Sequence, residues 1–346
     1  MSEIFTCNDV TKFSNSIVHE LNYRGISMSR FYLCKYDDLI FLTKLSLYKK
    51  SPPELYLKQN PLLSTHIDTE IDILNILREK IIDAGVSPCV VEILYATRCC
   101  GIKKYLKGKK KINPGLKTFL TEFSRLVQSG LAYDKWAFIA LEQCDITLEA
   151  YLTHRIGTPI STEMFRGFMF QIIYTLHAIK KLYPSFKHND LHTENVMLSV
   201  DKSFKWSSKQ RFFLQFTIEV NGKPVSYYVP YFGVIIKIID FGFATISELG
   251  IVSNVVEDLS VMFYRQNEDI ITLLHWIGTA AVKYPTYDDD IGIILNKLDP
   301  TESYKDISQQ SSVSINDMIT NELFDDYLEK PSGQFSILKK YTYVGI

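Results

Sequence analysis

The sequence predicts an α+β fold, and three observations carry that reading. Near the start, Phe31-Tyr32-Leu33-Cys34 and Leu39-Ile40-Phe41-Leu42-Thr43-Lys44-Leu45 flank Tyr36-Asp37-Asp38, the pattern of two strands around a polar turn. Further on, Phe165, Phe168, Met169, Ile172, Leu176 and Ile179 recur at helical spacing behind Ser161 and Thr162, which offer an N-cap. Beyond that helix, Val234-Ile235-Ile236-Lys237-Ile238-Ile239 is short, apolar and β-branched, the mark of a buried strand. At 346 residues the chain suits two domains or one two-lobed unit.

The remaining elements follow in order. Residues 69–82 read as a helix with Ile71, Leu74, Leu77 and Ile81 on one side, and Trp136-Ala137-Phe138-Ile139-Ala140-Leu141 as a strand running into Glu142-Gln143-Cys144-Asp145. Between them, an insert over about 102–134 carries Lys103, Lys104, Lys107, Lys109, Lys110 and Lys111, then Asn113-Pro114-Gly115 and a helix through Phe119, Phe123 and Leu126. The lysines read as a solvated loop, with a nuclear-import or nucleic-acid patch as the sharper alternative. Over about 211–229, two strand patterns meet at Asn221-Gly222, which suits the two positive-φ positions of a type I′ hairpin. Ile315, Met318, Ile319, Leu323 and Tyr327 predict a last amphipathic helix.

Charge is balanced, with 38 Lys+Arg against 39 Asp+Glu, so nothing pulls the chain as a whole towards nucleic acid or an anionic membrane. The six cysteines, at positions 7, 34, 89, 99, 100 and 144, form no Cys-x-x-Cys pair, which argues against zinc and against a disulfide framework and predicts a reducing compartment. Neither a signal-peptide core at the start nor a run of roughly 20 apolar residues is present, so the expected location is cytoplasmic or nuclear.

The chemistry concentrates in His188-Asn189-Asp190-Leu191-His192-Thr193-Glu194-Asn195 and, downstream, Asp240-Phe241-Gly242. Together they supply two carboxylates and one carboxamide. That set suits metal-bound nucleoside triphosphate, because phosphoryl transfer needs charge neutralisation and a hydroxyl held in line more than covalent help. These segments resemble the catalytic loop and metal-binding loop of the eukaryotic-type protein kinase superfamily, and the likeness spans about residues 20–280. Asn189 stands where many kinases have an arginine, and His192 where serine/threonine kinases carry a lysine. In Asp190-Leu191-His192, in the lengthened stretch between the motifs and in the short segment after Gly242, the chain resembles haspin-like kinases and the kinases of large DNA viruses.

The resemblance implies a two-lobed kinase fold, with a nucleotide-binding lobe over 1–143 built on a β-sheet and one main helix, and a larger catalytic and substrate lobe over 144–346. It implies Asp190 as catalytic base, Asn195 and Asp240 as Mg²⁺ ligands, Lys44 (with Lys49 and Lys50 as competitors) on the ATP phosphates with Glu70 (Glu79 as fallback) orienting it, and His192 near the transferred phosphate or substrate. Gly25 and Ser27 would stand in for a glycine-rich phosphate loop, and Leu141, Glu142, Cys144 and Asp145 would receive adenine and ribose. Asp269, ahead of an apolar helix, resembles the aspartate that braces the catalytic loop. The implied activity is Ser/Thr protein phosphorylation with ATP and Mg²⁺, needing no phosphorylation of the activation segment. The partners are a protein substrate and a nucleotide, without membrane or nucleic acid, in a host cytoplasm or virion if the chain is viral. Two alternatives stand beside it: a small-molecule kinase of the aminoglycoside type, and a pseudokinase scaffold.

Overall fold

The computed structural model describes residues 7, 10–21, 29–50, 66–102, 105, 112–153, 161–205, 210–252, 268–283, 289–308 and 311–343. Gly25, Ser27 and the lysines of the insert lie outside them. The chain forms two compact units, one from 1–71 with 92–143, the other from 72–91 with 144–346.

The first unit holds α1 (Thr11–Ser16), β1 (Ile17–Leu21), β2 (Arg30–Tyr36), β3 (Leu39–Lys49), the start of α2 (His66–Leu77), β4 (Ile93–Cys100), α3 (Pro114–Gln128) and β5 (Ala132–Glu142). Its five strands pair antiparallel in the order β1-β2-β3-β5-β4. Asp37, at φ 51°, turns β2 into β3 in the left-handed region that a short polar side chain tolerates. Along β3 the alternation sends Phe41, Leu45 and Leu47 into a core with Phe13, Tyr32, Phe123, Trp136 and Phe138. Lys44 goes to the other face.

α3 lies within the insert. Asn113 caps it by accepting from Gly115 N and Leu116 N, Pro114 occupies its first turn, and Leu116, Phe119, Leu120 and Phe123 are buried in that same core. A substantial part of the insert is therefore packed structure. The cysteine reading needs correction, because Cys7 and Cys99 form a disulfide across 92 residues of sequence. Two cysteines so far apart leave no spacing motif, and only the fold brings them together. Cys34 and Cys89 are buried and stay reduced, as expected of small apolar side chains.

The second unit contains β6 (Ile146–Thr147), α4 (Leu148–Thr153), α5 (Thr162–Leu182), β7 (Val196–Val200), β8 (Arg211–Val220), β9 (Lys223–Pro230), β10 (Val234–Ile238), α6 (Asp269–Lys283), α7 (Asp289–Leu298), α8 (Ile315–Ile319), α9 (Asp325–Leu328) and β11 (Phe335–Thr342). α5 starts where its cap predicts, with Ser161 Oγ accepting from Met164 N, and it is buried on most sides from Phe165 to Ile179. Strands β10, β7 and β6 form one antiparallel sheet, which carries the ends of both sequence motifs.

The hairpin forms as its sequence predicts, with Asn221 at φ 52° and Gly222 at φ 74°. It is completed by β11, which has no counterpart among the predicted elements and which pairs parallel to β8. Phe216 and Ile218 of β8 and Tyr227 of β9 turn inward with Phe170 and Tyr174 of α5. The predicted last helix is instead two short helices, α8 and α9, joined by the 3₁₀ turn Glu322–Phe324. Asn321 makes the break, its side chain accepting from Leu323 N while its amide donates to Lys297 O. Among the described residues no helix is long and apolar enough to cross a membrane.

Both the disulfide and a buried histidine bear on stability in ways that can be measured. In the chain-entropy account, a disulfide closing a loop of this length contributes about 4.6 kcal/mol. Reduction with dithiothreitol is expected to lower the unfolding midpoint of the parent and leave that of Cys7→Ser unmoved. Inside α5, burial drives the His177 pKa down to about 4, with Lys181 acting in the same direction and Asn316 opposing. A folded-state pKa below the unfolded one means that the unfolded chain takes up the proton first. Stability is thus full above the unfolded value of ~6.5 and falls by about 3 kcal/mol as pH drops to ~4. Chemical denaturation across that range is expected to show a shallower fall for His177→Gln.

Candidate active site

In the first unit, Lys44 Nζ meets both carboxylate oxygens of Glu70, at 2.9 and 2.8 Å. Lys44 lies on β3, paired with Phe31 on one side and Ile139 on the other, and its ammonium is 5.9 Å from the Phe31 ring centre. Both partners are buried, at 8% and 3% exposure. Burying a charge pair brings little net stability, whereas removing one partner strands the other at a cost of about 3–5 kcal/mol.

At the end of the same sheet, Leu141 is buried and Glu142 is locked to Glu92, its N–H donating to Glu92 O and its Oε1 accepting from Glu92 N. Asp145, in the second unit, accepts from Val200 N and pairs with Lys202 at 3.2 Å. Thr147 Oγ1 accepts from Ala150 N, so that hydroxyl serves as the cap of α4. Cys144 is half-buried.

The second unit assembles the two motifs. Asp269, the first residue of α6, is 3% exposed, and its two oxygens accept from His188 N at 2.7 Å and Asn189 N at 2.9 Å. Asn189 sits at φ 64°, a left-handed conformation that asparagine adopts more readily than most residues. Its amide donates to Phe243 O at 2.9 Å, and Lys187 and Thr245 exchange backbone hydrogen bonds beside it. The segment after Asp240-Phe241-Gly242 is thereby fastened to the loop by a neutral side chain. His188 is fully buried, with Nε2 at 2.9 Å from Ile239 O and its ring against Phe241. Burial lowers its pKa, which fits a packing role and not proton transfer.

Asn195 ends a 3₁₀ turn, Thr193–Asn195, and donates through Nδ2 to Asp190 O at 2.8 Å and to Asp190 Oδ2 at 3.1 Å. With the amide so oriented, its carbonyl oxygen is the end that can meet a cation. Asp240 is held at φ 60° between Ile239, whose N–H donates to Asn195 O, and the buried Phe241. An aspartate in this sparsely populated conformation is over-determined by its surroundings, as residues at working sites often are.

The Asp190 pKa is raised above the ordinary carboxylate range, first by burial. The nearby His192 opposes the shift, Asp240 adds to it, Asn195 opposes it by hydrogen bonding and Glu194 adds to it. The rise makes Asp190 a stronger proton acceptor. The share of the rise that comes from Asp240 is one that a bound cation would relieve. Mg²⁺ fits this oxygen set, since it takes one or two protein ligands and completes its shell with water and phosphate. Among the described residues no group of three His, Cys, Asp or Glu side chains could hold a metal ion.

His192 lies with Nε2 3.8 Å from Asp190 Oδ2 and 3.1 Å from Asn195 Nδ2. Its Nδ1 accepts from Glu194 N, and its ring lies 5.9 Å from that of Trp276. Sequence reasoning did not single out Trp276 or Glu149, whose carboxylate takes the hydroxyl of Thr193 at 2.5 Å. Both come from helices remote in sequence from the loop, and no spacing could have linked them to it.

No family profile matches the chain. In an alignment 265 positions long that covers 67% of the chain, it is 25% identical to "Putative serine/threonine-protein kinase R301" of Acanthamoeba polyphaga mimivirus. The chain spans 62% of the length of that protein. The likeness supports a kinase-like relationship at this coarse level.

The Asp269 contacts generate a direct test. Asp269→Ala leaves two buried N–H groups without acceptors and is expected to lower stability by about 3 kcal/mol. Urea unfolding checks the size of the loss.

Proposed function

We propose that the chain is an ATP- and Mg²⁺-dependent protein kinase with the two-lobed kinase arrangement, transferring the γ-phosphate to Ser or Thr hydroxyls. The observation that carries the reading is Asn195 donating to both the backbone and the carboxylate of Asp190, at 2.8 and 3.1 Å, which fixes base and cation ligand as one body. The mimivirus likeness points the same way.

In this reading, Asp190 accepts the proton of the substrate hydroxyl while that oxygen bonds to the γ-phosphorus and the bond to the β-phosphate oxygen breaks, leaving ADP. Asn195 and Asp240 hold Mg²⁺, which supplies charge neutralisation along the phosphates. Lys44, oriented by Glu70, engages the α- and β-phosphates, and His192 stands beside the acceptor. Leu141, Glu142, Cys144 and Asp145 line the place of adenine and ribose, with Gly25 and Ser27 over the phosphates. Asn189, anchoring Phe243 with a neutral amide, supports activity without phosphorylation of the segment after Asp240. The work would be done in the cytoplasm or nucleus, or for a viral chain in the host cytoplasm or virion.

The test is transfer from radiolabelled ATP with Mg²⁺ to casein, histone and small alcohols or amines, comparing the parent with Asp240→Asn. The expected result is label on protein Ser and Thr in the parent, reduced by about 10²-fold or more in the variant, as befits loss of a charge-stabilising group. Label on small molecules alone, or nucleotide binding without any transfer, would overturn the proposal.

A further inference from the structure

We infer that Glu149 is a positioning residue for the cation-holding turn, acting through Thr193; the inference rests on the kinase reading above. Glu149 lies on α4, a helix fixed by the buried Leu148 and Leu152 and capped by Thr147. Its Oε2 accepts the hydroxyl of Thr193, a residue 1% exposed that opens the turn ending in Asn195. A hydroxyl donating to a carboxylate is a charge-assisted hydrogen bond, stronger than one between neutral groups, and the Thr193 end of this one is buried.

The turn is so short that a shift at Thr193 carries through to Asn195. Asn195 in turn sets two things at once: the direction of its own carbonyl oxygen and, through Nδ2, the rotamer of Asp190. Within the same loop, His192 Nδ1 takes Glu194 N and its ring meets Trp276. Glu149 thus supplies a charged anchor for the turn from α4, while the aromatic contact comes from α6. Neither Glu149 nor Thr193 is placed to touch substrate or metal in this reading. Their effect is on where the ligand oxygen stands, the role that outer partners of metal ligands play generally.

The experiment measures Mn²⁺ binding by electron paramagnetic resonance in the presence of adenylyl imidodiphosphate, which permits no turnover, beside phosphate transfer to casein. Glu149→Ala and Thr193→Val each remove the bond from one side. Each is expected to weaken Mn²⁺ about tenfold, and the double variant to be no worse than either, because both break one interaction. Glu149→Gln and Thr193→Ser, which keep an acceptor and a hydroxyl, are expected to retain most of the affinity. A general loss of folding would not be rescued in this pattern. Should Glu149→Ala fail to fold, Thr193→Val decides. Unchanged Mn²⁺ affinity in the removing variants, with an active parent, overturns the role of Glu149. A parent that neither binds Mn²⁺ with the analogue nor transfers phosphate overturns the kinase reading itself, and this inference with it.

Discussion

The buried carboxylate of Asp269 is the contact on which the geometry of the second unit's candidate site depends. Its two oxygens take the N–H groups of His188 and Asn189, which forces the chain there into the left-handed turn at Asn189. From that fixed point the loop runs to Asp190, is bound back on itself by Asn195, and is tied to the strand before Asp240 through Ile239 N and Asn195 O. An anionic acceptor for two buried amides is a strong arrangement, and it cannot be half made. Because the aspartate begins α6, the apolar helix behind it is what keeps the loop in place. Packing energy is converted into the positions of a few oxygen atoms.

The first unit makes a different use of charge. Lys44 and Glu70 are removed from water together, and the strands on either side of β3 set the apolar Phe31 and Ile139 opposite the lysine. Hydrophobic side chains of similar volume would stabilise such a place equally well. The pair holds the lysine ammonium at a fixed place on that face of the sheet.

Much of this was legible beforehand, for reasons particular to each element. The alternation around Lys44 named its face, and the apolar spacing of 69–82 put Glu70 at the start of a helix, where the two side chains meet. Ser161 announced α5, and Asn221-Gly222 announced the turn between β8 and β9, because each of these residues has a local job that its chemistry reveals. What stayed hidden depends on tertiary proximity. The Cys7–Cys99 disulfide, the anchoring of Thr193 by Glu149 and the pairing of β11 with β8 all join segments far apart in sequence. The break at Asn321 was hidden differently: the apolar residues on either side keep helical spacing and all are buried, so only the competing hydrogen bonds of one side chain end the helix.

The parallel pairing of β11 with β8 has a consequence for how the chain comes into being during synthesis. β8 and β9 leave the ribosome joined by their own tight turn, yet the flank of β8 that β11 will occupy stays open while α6, α7, α8 and α9 are still being made. A parallel partner arriving so late gives a large sequence separation, which slows folding and leaves a strand edge exposed to other chains meanwhile. The nascent protein therefore carries, between the two segments that hold its candidate chemistry, an edge that is vulnerable to mispairing until β11 is translated.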